Sequence, residues 1–203
     1  MKVIAVENKE VFDVVRFIFN LNLKQMNKKL KELKETIMEC LIHSIRQVYK
    51  NDSHLLYNKV SERCVCARLA YYLEQIIHQT NAFEGYYVDV EYDRMEDGFG
   101  KRIGLGKKKH ICDLLIHSRG LKKPDNLLAL EMKVHDNYTK APEDRERLYD
   151  LVQHSNKKNK GTVCETVYGV FLRLRNDKFI YQTFDVEIDG GKASDAIEGT
   201  IDD

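Results

Sequence analysis

No C-x-x-C pair occurs among the five cysteines of this chain (Cys40, Cys64, Cys66, Cys112, Cys164). Cys64 and Cys66 fall on different sides of a helix, which is poor geometry for zinc. Most of the cysteines sit among apolar neighbours, so buried reduced thiols are expected. The seven histidines lack the HxH and HExxH spacings of a metal site, and GxxxxGK[ST] is absent, which argues against ATP or GTP binding. No apolar run approaches the ~20 residues that span a bilayer. The N-terminal apolar stretch is broken at once by Glu7, Lys9 and Glu10, unlike a signal peptide. Formal net charge is +1, so no global field advertises a nucleic acid or a membrane. A soluble, cytoplasmic protein without membrane contact is the expectation.

What is present suits one domain with a helical extension. Residues 1–20 show no clear period. From Leu23 the positions Met26, Leu30, Leu33, Ile37, Leu41, Ile45 and Val48 step by threes and fours, the mark of a long amphipathic helix. Its lysine-rich outer face reads as a solvated surface or, more sharply, a homodimer or partner seam over 23–48. Asn51-Asp52-Ser53 reads as a break, which sets an N-terminal segment at 1–50 and a main domain at 51–188. A second helix is expected over 60–78, with Cys66, Leu69 and Leu73 inward and Glu62 one turn before Cys66 on the same side. Strands follow at 86–94, 111–117 and 127–134, then a helix at 142–155 begun by Pro142. Further strands fall at 166–175 and 178–188, and the Gly-rich acidic tail, 189–203, is expected to be disordered. A three-strand meander followed by a helical crossover gives an α/β domain with a mixed central sheet.

The stretch LLALEMKVHD (127–136) puts Glu131 and Lys133 together on one face of its strand. If that strand pairs with ICDLLIH, Asp113 projects from the same side, and Glu62 enters from the helix. Carboxylates converging at ~4 Å repel by about 4 kcal/mol per pair at an effective dielectric near ~20, so they take up protons or hold a cation. An all-oxygen site suits Mg²⁺ or Mn²⁺ rather than zinc. Lys133, protonated beside such an ion, suits stabilisation of charge on a phosphate. Lys101, Arg102, Lys107, Lys108, Lys109, Arg119, Lys122 and Lys123 flank the Asp113 strand, in a glycine-containing loop and the following turn, as a phosphate-gripping patch or a solvated one.

Asp113 followed by Glu131-Met132-Lys133 resembles the D…(D/E)xK signature of the PD-(D/E)XK nuclease superfamily, the restriction-endonuclease-like fold. VSERCVCARLAYYLE, YYVDVEYDR, ICDLLIHSRG, NLLALEMK, EDRERLYDLV and YGVFLRL together resemble a bacterial and phage-associated branch of it, over roughly residues 37–174. The resemblance implies an αβββαβ core and a Mg²⁺-dependent endonuclease acting on nucleic acid, DNA in the first instance. It implies Asp113, Glu131 and the Met132 carbonyl as metal ligands, Lys133 as the catalytic lysine and Glu62 as a helix-borne acid of the site. Cys112 stands where the signature has proline, a mild departure because proline supplies no ligand. Glu91, Arg68 and Arg147 match motifs of the branch, the arginines as groups that orient acids or as surface pairs. His117, His135 and Asp136 are weaker candidates near the site. The competing expectation is a catalytically silent nucleic-acid-binding or interaction module within a larger assembly.

Overall fold

The computed structural model describes residues 3–92, 102–103, 108–109, 111–134, 141–152, 166–185 and 194–200, with backbone alone at 3–24, 26–27, 102–103, 108–109 and 200. Two units divide the chain, Met1–Glu39 and Cys40–Asp203. The division falls inside helix α1 (Val3–Tyr57), earlier than the expected break at residue 51. The first unit is helical, and on its surface Lys28–Glu32 and Lys31–Glu35 pair one turn apart at 3.8 Å, each worth a few tenths of a kcal/mol, about 0.3–0.5.

The second unit takes the last turns of α1, whose Leu41, Ile45 and Val48 are fully buried. The anticipated break near Asn51 is a kink: Asp52 leaves helical geometry (φ −128°, ψ 18°). Its carboxylate accepts from Arg68 Nε at 2.8 Å and from the Tyr72 hydroxyl at 2.7 Å. Both partners sit on helix α2 (Glu62–His78), which buries Val65, Cys66, Leu69, Leu73 and Ile77 at helical spacing. A 3-10 turn (Asn81–Phe83) leads to the sheet.

Strands β1 (Tyr87–Val90), β4 (Leu114–His117), β5 (Asn126–Val134), β6 (Thr166–Leu174), β7 (Lys178–Phe184) and β8 (Ile197–Thr200) form one mixed sheet in that order. β1, β4 and β5 are an antiparallel meander. Helix α3 (Ala141–Val152) then carries the chain to β6, which lies parallel to β5, as a helical crossover requires. Among the described residues the sheet and helices thus give the α/β class and the mixed sheet that the sequence pattern predicts. β5 and β6 are buried on both faces, which explains why their sequences read as near-continuous apolar runs. On one face, Leu115, Ala129 and Phe171 pack with Ala141, Leu148, Leu151 and Val152 of α3.

Two expectations are corrected. The segment after β1, read as a loop, holds a two-stranded hairpin, β2 (Arg102–Ile103) against β3 (Lys108–Lys109). The tail expected to be disordered supplies β8, which pairs with β7 and places Glu198 2.8 Å from Lys178. Gly199 lies directly over the Phe179 ring, where any side chain would collide with it. The glycine is thus a packing requirement of the strand. Among the described residues no helix is long and apolar enough to cross a membrane.

Candidate active site

The β4–β5 ladder pairs Leu115 with Ala129 and Leu114 with Leu130. Continued by one step, the same register sets Asp113 opposite Glu131, and residues opposite one another share a face. Here the backbone ladder gives way to a side chain: the Asp113 carboxylate accepts from the Met132 N–H at 2.7 Å. The Asp113 carbonyl meanwhile accepts from the Glu91 N–H at 3.1 Å and from the Cys66 thiol at 3.4 Å. Asp113 is therefore pinned from β5, from the end of β1 and from α2 at once.

Lys133 follows two residues after Glu131 on the same face. Its ammonium donates to Glu62 Oε1 at 3.1 Å and to the Met132 carbonyl at 2.9 Å, and forms an ion pair with Asp144 Oδ2 at 2.9 Å. Burial alone would push its pKa down, but Asp144 and Glu62 more than offset that, and the pKa is raised. Lys133 is a protonated ammonium at neutral pH. Beyond Asp144 the chain of charges continues to Arg147, which bonds Asp144 and reaches Glu131 Oε2 at 3.5 Å.

The acids answer this differently. Burial raises the Asp113 pKa to about 7, helped by the charges of Glu131 and Glu62 and opposed by the Met132 N–H and Lys133. Burial likewise raises Glu131 to about 7, with Arg147 opposing and Asp144 adding to it. Among the described residues four carboxylates (Glu62, Asp113, Glu131, Asp144) face two cations (Lys133, Arg147), so full ionisation gives this set a net charge of minus two in a largely buried place. The arrangement calls for protons or for a cation. Among the described residues no three His, Cys, Asp or Glu side chains form a ready metal-ligand group. The oxygen donors that do converge, two carboxylates beside a backbone carbonyl, have the hardness that Mg²⁺ or Mn²⁺ prefers. An open pocket of about 90 Å³ lies against Asp113, lined also by Glu62, Arg63, Cys66, Val90 and Glu91. Glu91 turns there through a left-handed backbone (φ +50°) and meets Arg63 Nε at 2.6 Å.

Asp113, Glu131, Met132, Lys133 and Glu62 are thus brought together, with Glu62 turned to Lys133. Arg147 joins them, and Arg68 stays with Asp52. The basic residues divide. Arg119, Lys122 and Lys123 lie in the β4–β5 turn, at the opposite end of the hairpin from Asp113, roughly five strand residues or ~17 Å away. Arg119 forms a two-pronged bond to Asp89 (2.9 and 2.8 Å), and Lys122 donates to the Glu84 carbonyl. They do not line the carboxylate pocket. Lys101 and Lys107 lie outside the described residues, as do the side chains of Arg102, Lys108 and Lys109. His117 is buried at the turn end, 2.8 Å from Asp89, and does not reach the acids. His135 and Asp136 lie outside the described residues.

Asp144 is the member that the sequence did not announce. In PEDRERL it reads as an ordinary first-turn acid favoured by the helix dipole, yet its side chain is only 1% exposed and touches both cations. Its spacing of three from Arg147 was the available signal. Comparison with protein-family models and with curated proteins gives no match, so the chemistry rests on the site itself.

Proposed function

We propose that this chain is a metal-dependent nuclease of the PD-(D/E)XK type, with the restriction-endonuclease-like core, that hydrolyses phosphodiester bonds in nucleic acid, DNA in the first instance. One observation carries the reading. Asp113, from the start of one strand, converges with Glu131 and Lys133 of the next on one sheet face, in a cluster whose described groups hold two more acids than cations. A divalent cation, when bound, acidifies water and draws charge from a phosphate. Asp113 and Glu131 would hold it, with the Met132 carbonyl beside them. Lys133, kept protonated between Glu62 and Asp144, offers a fixed positive charge to the oxygen on which negative charge develops. Glu62 and Asp144 orient that ammonium, and Arg147 limits the repulsion at Glu131.

The test is incubation of plasmid and linear DNA with the protein in Mg²⁺, Mn²⁺ or EDTA, beside Lys133→Ala. Metal-dependent nicking lost in the variant is the expected result. A second reading, a silent nucleic-acid-binding module, is favoured by the ion-pair chain, in which the Lys133 ammonium already has two carboxylates and a carbonyl around it. DNA binding without cleavage in any metal, together with no heat of Mg²⁺ or Mn²⁺ binding in calorimetry, would replace the nuclease with that module.

A further inference from the structure

The open pocket against Asp113 is lined by three carboxylates, and among the described residues that line it Arg63 alone is cationic. Lys133 and Arg147 do not line it and are tied to Glu62, Asp144 and Glu131. Consecutive helical residues point ~100° apart. Glu62, at the start of α2, turns to Lys133, and Arg63 beside it faces outward with its side chain 80% exposed. Its Nε lies 2.6 Å from Glu91 Oε1. Glu91 is set there by its backbone, which turns left-handed (φ +50°) and whose N–H donates to the Asp113 carbonyl at 3.1 Å. The guanidinium is thus held at the mouth of the pocket by a residue that is itself bonded to Asp113.

The two ion pairs at this pocket differ in kind. The pair of Lys133 with Glu62 is largely shielded from water, whereas that of Arg63 with Glu91 is exposed. An exposed pair contributes little and is screened by salt, so it gives way readily to a better partner. A phosphate is such a partner, because the planar fork of a guanidinium matches two of its oxygens at once. Once the Asp113 charge is neutralised, by a cation or a proton, Arg63 is the group on the open side of the pocket that can hold an incoming phosphate. We propose that Arg63 is a phosphate-binding residue for the nucleic-acid strand, held by Glu91 until a backbone phosphate displaces that carboxylate. Glu91 thereby competes for the guanidinium, and the affinity for phosphate is reduced by the share of time that Arg63 spends on Glu91. The proposal rests on the nucleic-acid reading above but not on cleavage. It places a basic contact beside the acids on α2, where the sequence had pointed to the β4–β5 turn.

The test is a titration of a short fluorescent DNA duplex, followed by polarisation, in EDTA and in Ca²⁺, over a range of salt. It compares the wild type with Arg63→Gln, Glu91→Gln and the double variant, each checked by circular dichroism and thermal melting. Arg63→Gln should flatten the slope of log affinity against log salt by about one and bind about tenfold more weakly at low salt. Glu91→Gln, which releases the guanidinium, should instead bind about threefold more tightly. The double variant decides between displacement and simple repulsion. On the Arg63→Gln background the gain from Glu91→Gln should largely vanish, whereas an acid that merely repels DNA would give the same gain on either background. Arg63→Lys, which keeps the charge but not the fork, should restore the slope and only part of the affinity. A folded Arg63→Gln with wild-type affinity and slope would overturn the proposal, as would equal gains from Glu91→Gln on both backgrounds or a wild type that binds the duplex in neither condition. Because binding is read without turnover, a protein that binds as expected yet never cleaves would refute the nuclease and leave the role of Arg63 standing.

Discussion

The Asp89 carboxylate is bound by His117 and Arg119 at the turn end of β4, Asp113 precedes the other end of that strand, and these two partly buried carboxyls are driven in opposite directions. Burial works against the charge of each. At Asp89 two bonds from Arg119 and one from His117 more than offset it, and the pKa falls below its ordinary value. At Asp113 the Met132 N–H is outweighed by burial and by Glu131, and the pKa rises to about 7. The turn end of the hairpin is electrostatically finished, and the other end is held short of completion by its own geometry. An acid that the fold could have paired but left beside another acid marks a place where a ligand is expected to supply the missing charge.

The widest separation between the two ends should be catalytic. Asp113→Asn, Glu131→Gln and Lys133→Ala are each expected to lower metal-dependent cleavage by at least about a thousandfold, with far-ultraviolet circular dichroism unchanged. Asp89→Asn should cleave at close to the wild-type rate. Equal losses at both ends in a gel assay would erase the distinction.

Next in size is a stability effect that belongs to the unfinished end. Asp144 is buried against Lys133 and Arg147. Asp144→Ala removes the acid that both cations share and should cost about 3 kcal/mol in urea unfolding. A loss under about 0.5 kcal/mol, the range of a surface pair, would mean that Lys133 is held by Glu62 alone.

The unfinished end should also respond to pH with its own sign. A raised acid pKa means that the native state binds more protons than the unfolded one between about pH 4 and 7, so stability falls as pH rises through that window. Asp113→Asn removes this cost. The variant should match the wild type near pH 4 and exceed it by roughly 2–4 kcal/mol above pH ~7 in the absence of divalent metal. A variant less stable than the wild type at pH ~8 would show that the Asp113 charge is compensated.

Why the sequence disclosed one end better than the other follows from what each depends on. The convergence of Asp113, Glu131 and Lys133 needs only period-two alternation and an antiparallel neighbour, both local properties of ICDLLIH and LLALEMK. Asp144 needs the docking of α3 on the sheet, which no local pattern encodes. Arg119, Lys122 and Lys123 are nearer to Asp113 in sequence than in space. A strand between them and Asp113 carries them away. β8 escaped notice since a four-residue edge strand takes its hydrogen bonds from β7 and its glycine from the shape of Phe179, and composition reports neither. The division that the sequence suggests at residue 51 lies later than the boundary between the two compact units, at Glu39 and Cys40. The kink at Asp52 is real, but Leu41, Ile45 and Val48 already belong to the core before it.

The smallest effect tests the finished end. In Asp89→Asn the Arg119 pair loses its charge, and Arg119 is about half exposed, so solvent screens much of what is lost. His117 is buried, at 1% exposure, and keeps an oxygen acceptor in the amide. The expected loss is about 1 kcal/mol at neutral pH. Its pH dependence must run opposite to that of Asp113. A lowered acid pKa contributes stability that is full above the unfolded value, near pH ~4, and is lost as the pH falls through the folded one. The gap between Asp89→Asn and wild type should therefore be constant from about pH 5 to 8 and close under more acidic conditions, read from urea midpoints across that range. A gap that widened toward acid would mean that Asp89 is no better paired than Asp113, and the contrast between the two ends of the hairpin would fail.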